Sequence, residues 1–83
     1  MNLKLQFMGW KPDADVCGEA AGMAFGKRVL DLVVTYCGDG SFFWEVVDDD
    51  LTDARIAFGT VTSAAEARRA AETAVRRAFI RAA

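Results

Sequence analysis

Eighty-three residues, a hydrophobic fraction of 53% and a net charge of −2 describe one small globular domain, and exclude a disordered chain or a second domain. The chain has no histidine, which removes the commonest general base, the usual serine or cysteine triad and the commonest zinc ligand. The near-neutral charge hides an asymmetry: residues 1–62 carry five basic against ten acidic side chains, and residues 63–83 five arginines against two glutamates.

In chain order, residues 2–8 alternate, with Leu3, Leu5 and Phe7 on one face and Lys4, Gln6 and Met8 on the other, the pattern of a half-buried strand. Residues 9–15 hold the only proline and two aspartates and read as a loop. Residues 16–25 are open to two readings. Asp13 suits a helix cap, but Gly18 and Gly22 would each cost a helix about 1 kcal/mol relative to alanine, so a strand is preferred. Residues 28–37 read as a strand, and Gly38-Asp39-Gly40 as a tight turn, since glycine accepts positive φ without steric cost.

Residues 41–47 form the next strand, with Phe42, Trp44 and Val46 on one side and Phe43, Glu45 and Val47 on the other. Residues 48–53 are an acidic loop. Residues 54–61 are a last short strand with Ile56 and Phe58 on one side. Residues 63–82 read as one amphipathic helix. Ser63 followed by Glu66 has capping-box spacing, and Ala64, Ala67, Ala71, Ala74 and Ala78 form an inner stripe at steps of three and four. The expected fold class is α+β: an antiparallel meander of four or five strands packed by the C-terminal helix. The helix contributes these alanines with Val75 and Phe79, so the sheet should supply the bulk as Leu30, Leu32, Val34, Phe42, Trp44 and Val46, and Ala74→Leu should overpack the contact.

The chemistry-bearing features are few. The aspartates Asp48, Asp49, Asp50 and Asp53 invite a calcium-loop reading. Counted from Asp48, however, the sixth position is Asp53 where glycine is needed and the twelfth is Gly59 where glutamate is needed, so no metal site is expected. The same run suits an acidic contact surface for a basic partner, with Phe43 and Glu45 adjacent, or a solvated loop. Arg68, Arg69, Arg76, Arg77 and Arg81 form a basic helix face that suits phosphate binding to nucleic acid, but Glu66 and Glu72 sit among them, and Glu72 is spaced to pair with Arg76 and Arg68. Cys17 and Cys37 would be cross-strand neighbours if the turn at Gly26-Lys27 had three residues. No phosphate loop, nucleophile elbow or paired-carboxylate cleft is present, so no enzymatic activity and no cofactor are expected. Residues 1–10 lack the apolar run of a signal peptide, and no stretch approaches the ~20 apolar residues that span a bilayer. A cytoplasmic protein that does not enter membranes, with reduced thiols, is expected.

The tryptophan-bearing strand Phe42-Phe43-Trp44-Glu45-Val46, the polar excursion after it and the capped helix opening Ser63-Ala64-Ala65-Glu66-Ala67-Arg68-Arg69-Ala70-Ala71-Glu72 resemble a pattern of short phage and prophage proteins. Small acidic single-domain proteins of this kind include anti-CRISPR inhibitors. The resemblance implies a non-enzymatic protein acting in a bacterial host cell, which binds a CRISPR effector complex and blocks it. On that reading Asp48, Asp49, Asp50, Asp53, Phe43 and Glu45 would be the contacts. The alternatives are a nucleic-acid-binding accessory protein using the arginine face, and a structural homodimer closing over the Phe43 face or a sheet edge.

Overall fold

The computed structural model describes residues 5–48 and 54–82, with side chains for 5–48 and 55–79. Five strands, β1 (Leu5–Asp13), β2 (Gly18–Phe25), β3 (Arg28–Tyr36), β4 (Phe42–Asp48) and β5 (Ala54–Val61), form one antiparallel sheet in sequential order. The helix α1 (Ala64–Ala82) covers one face of it. This is the α+β meander expected from the alternation pattern, and residues 18–25 are strand rather than helix.

β1 runs five residues further than the alternation suggested. A register shift between Met8 and Lys11 lets the strand continue across Gly9 and Trp10, and Pro12 is tolerated because β1 is an edge strand whose outer side needs no donor. A short 3-10 turn (Ala14–Val16) follows, closed by the Asp13 carboxylate accepting from the Asp15 N–H at 3.0 Å. β2 and β3 are joined by the two-residue turn Gly26-Lys27, with Gly26 at φ 65°, so Phe25 pairs with Arg28. That register is one residue away from the one that would set Cys17 opposite Cys37. The Cys17 carbonyl instead accepts from the Tyr36 N–H at 3.0 Å, and both cysteines are free and exposed.

The covered face carries Met23, Leu30, Leu32, Val34 and Val46, all buried, against Ala67, Ala71, Val75 and Phe79 of α1. Trp44 packs against this core while remaining partly exposed. The helix stripe is therefore half alanine and half bulk: Ala67 and Ala71 let the backbone approach the sheet, and Val75 and Phe79 fill the space beyond. Ala64, Ala74 and Ala78 flank this line and are only half-buried. The helix starts as its sequence predicts, with Ser63 Oγ accepting from the Glu66 N–H at 3.1 Å.

The helix lies chiefly over β3, β4 and β5. The β1 residues on the same face, Leu5 and Phe7, remain 43% and 44% exposed. Trp10 is the exception: displaced by the bulge, its indole N–H donates to the Glu72 carboxylate at 2.9 Å, tying the first strand to the last element. A second tie links three elements, since Glu19 of β2 accepts from Arg68 of α1 at 2.7 Å and from the Tyr36 hydroxyl of β3 at 2.8 Å.

Candidate interaction surface

The face of the sheet turned away from α1 has no covering element among the described residues. Alternation puts Phe43, Glu45 and Val47 there, as expected once Trp44 and Val46 face the helix. Pairing with β5 sets Glu45 opposite Phe58 and Phe43 opposite Thr60. Val47 faces Arg55, because a bulge at Ile56 shifts the register. Diagonal neighbours across an antiparallel pair are within reach of long side chains. The Phe43 and Phe58 rings accordingly lie 6.2 Å apart between centroids, and the Arg55 guanidinium sits 5.4 Å from the first and 5.1 Å from the second. Arg55 also pairs with Glu45 at 3.3 Å. Phe58 remains 61% exposed, the most exposed large apolar side chain in the described structure.

The same bulge corrects an expectation. Ile56 and Phe58 do not share a side: Ile56 lines a groove against α1, while Phe58 stands on the open face beside Arg55. Two residues separate cleanly by alternation only while the register is regular.

The aspartate run is divided. Asp48 follows Trp44 and Val46 onto the covered face, where it is 1% exposed and accepts from Arg28 Nε at 3.2 Å and Nη2 at 3.0 Å. It is a buried partner of Arg28 and not a displayed contact, because the strand runs one residue longer than the acidic loop boundary assumed. Asp49, Asp50 and Asp53 lie outside the described residues. Phe43 and Glu45 are brought together on the open face, and Arg55 and Phe58 complete their cluster.

The arginine face is also divided. Arg68 is engaged by Glu19. Glu72, expected to pair along the helix with Arg68 or Arg76, accepts from Trp10 instead. Arg69, Arg76 and Arg77 are exposed, and the side chain of Arg81 is outside the described set.

Two side chains show shifted acidities. The hydrogen bond to Glu19 raises the Tyr36 phenol above its ordinary 10.0, with burial adding to it. Hydrogen bonds from Ser41 hold the Asp39 carboxyl below its usual range in the β3–β4 turn. Among the described residues no group of three or more acidic or cysteine side chains is placed to hold a metal ion, and no helix is long and apolar enough to cross a membrane.

Compared with family models, with curated proteins and with solved structures, the chain matches none significantly. The surface geometry and the sequence pattern therefore carry the functional reading.

Proposed function

We propose that this protein is a non-catalytic interaction module that binds a partner protein on the open face of its sheet, around Phe43, Glu45, Arg55 and Phe58. The observation that carries this reading is the Phe58 ring, 61% exposed and set beside Phe43 under one arginine. Aromatic side chains and arginine are the residue types that dominate interface energetics, and a preassembled cluster loses little side-chain freedom on docking. The partner class we propose is a bacterial defence effector complex of the CRISPR type, held through a basic surface. It rests on the resemblance to phage proteins and on the acidic balance of residues 1–62, five basic against ten acidic side chains.

The experiment is capture by the tagged protein from nuclease-treated lysate of a bacterium with an active CRISPR system. One effector complex should be retained stoichiometrically and lost in Phe43→Ser/Phe58→Ser, whose melting temperature stays near wild type. Retention unaffected by the double change would sink the surface assignment, and recovery of the bait alone would sink the partner class. Charge reversal at Asp49, Asp50 and Asp53 asks separately whether the acidic run adds to the contact. If nuclease-free lysate instead yields nucleic acid, released with salt and lost in Arg76→Ala/Arg77→Ala, the arginine face is the functional one. A doubling of mass in light scattering would assign the open face to a second copy of the chain.

A further inference from the structure

On the opposite side of the sheet from Phe43, a groove of about 600 Å³ runs between α1 and strands β4 and β5. Its origin is local. Ala74 and Ala78 are too small to fill the space between helix and sheet, and the bulge in β5 turns Ile56 to the groove wall, where it stays 41% exposed. Trp44 also lines it. Gly59 lies directly across from Trp44, and a Cβ there would come within 2.8 Å of the indole nitrogen, so glycine is what lets the ring lie against β5.

The polar side chains of the groove all carry donors. Arg28 and Arg77 line it, and the Trp44 side chain brings an indole N–H. Arg28 is oriented by Asp48 and by the Phe79 ring, 5.7 Å from its guanidinium. Neither Arg77 nor the Trp44 N–H has a hydrogen-bond or ion-pair partner among the described residues. No carboxylate lines the walls. A trough of small-molecule size whose side chains are either apolar or donors complements a ligand with an apolar body and an acceptor-only, negatively charged head.

We propose that this groove binds a small amphipathic carboxylate, an aromatic or branched aliphatic acid. Its body lies on Trp44, Ile56, Ala74 and Ala78, and its carboxylate is held by Arg77 with Arg28 beside it. The site is independent of the open face and of any partner bound there.

The test is a titration of the intact protein with hydrocinnamate, and with the uncharged hydrocinnamamide, followed by two-dimensional NMR of the amide and indole N–H groups. The acid should produce saturable shifts at the Trp44 indole and the Ala74 and Ala78 amides. Affinity should fall about tenfold for the amide and about tenfold in Arg77→Gln, the size expected for one charged hydrogen bond. It should not change in Phe58→Ser. Ala78→Leu, which fills the trough, should abolish the shifts while the remaining spectrum stays folded. Equal affinity for acid and amide, shifts centred on Phe43 and Phe58, no saturation, or full binding by a folded Ala78→Leu protein would each overturn the assignment.

Discussion

Asp48 and Tyr36 show how single side chains acquire roles their types do not announce. Asp48 belongs by composition to an acidic run, yet it is buried against the Arg28 guanidinium of the neighbouring strand. Removing one partner of a buried pair is costly because the other charge stays desolvated. Arg28→Met should therefore lower stability by about 2–3 kcal/mol, somewhat below the range for fully buried pairs because the Arg28 side chain is 32% exposed. Urea unfolding measures it, and a loss under about 0.5 kcal/mol, the scale of ordinary surface changes, would refute the structural role of the pair. Tyr36 is the only tyrosine, so its phenolate absorbance is assignable. Its pKa is raised by the bond to Glu19, so the neutral form is favoured in the folded state. The stability this bond adds is present in full below the unfolded pKa near 10 and is lost as pH rises through the higher folded value. The phenolate midpoint should lie above 10.0 in the wild type and move down in Glu19→Gln.

At the scale of elements, the helix and its cap were legible, but the depth of each alanine was not. Ser63 at the N-cap follows from its spacing to Glu66, and Ser63→Ala should cost about 1 kcal/mol in thermal unfolding. The spacing puts five alanines with Val75 and Phe79 on the inner side, and the fully buried line runs Ala67, Ala71, Val75 and Phe79 in steps of four, with Ala64, Ala74 and Ala78 on its flank. Periodicity alone does not distinguish a line at the centre of a contact from its flank. The consequence is a revised substitution. Ala74 borders the groove and has room beside it, so Ala74→Leu should melt near wild type. Ala71→Leu, fully buried, should cost roughly 1–3 kcal/mol by overpacking. Two glycines give a matched comparison for the sheet. A Cβ at Gly18 would sit 1.9 Å from the Val34 carbonyl oxygen, a backbone atom, whereas one at Gly9 meets nothing within 4 Å. Gly18→Ala should therefore destabilise β2 against β3 severely while Gly9→Ala stays near neutral, which denaturant midpoints compare directly.

For the whole molecule, one helix covers part of a five-stranded sheet, and everything left over becomes surface. The helix lies over β3, β4 and β5, so β1 is held by its ladder to β2 and by the Trp10–Glu72 bond that crosses 62 residues of chain. Trp10→Phe should cost about 1 kcal/mol, the net worth of one hydrogen bond, and should speed amide exchange in β1 before any other strand. Uniform exchange across the sheet in that variant would show that the bond does not anchor β1. The open face and the groove are both products of this partial coverage: one is the side the helix never reaches, the other the margin it fills poorly.

Alternation in residues 28–37 and 41–47 and the capped alanine helix determined the fold class, because strand and helix periods are properties of neighbouring residues. The same alternation sent Phe43 and Glu45 away from Trp44. Three things were decided only in three dimensions. Register depends on turn length and bulges, so the Gly26-Lys27 turn separated Cys17 from Cys37, and the bulge at Ile56 parted Ile56 from Phe58. Charge pairing depends on which strands become neighbours, so Glu19 found Arg68, Glu72 found Trp10, and Asp48 found Arg28. Finally, where the helix rests on the sheet is set by the fit of Val75 and Phe79 against Met23, Leu30 and Leu32. That fit sums contacts between residues far apart in the chain, and it decides which apolar side chains become core and which remain surface.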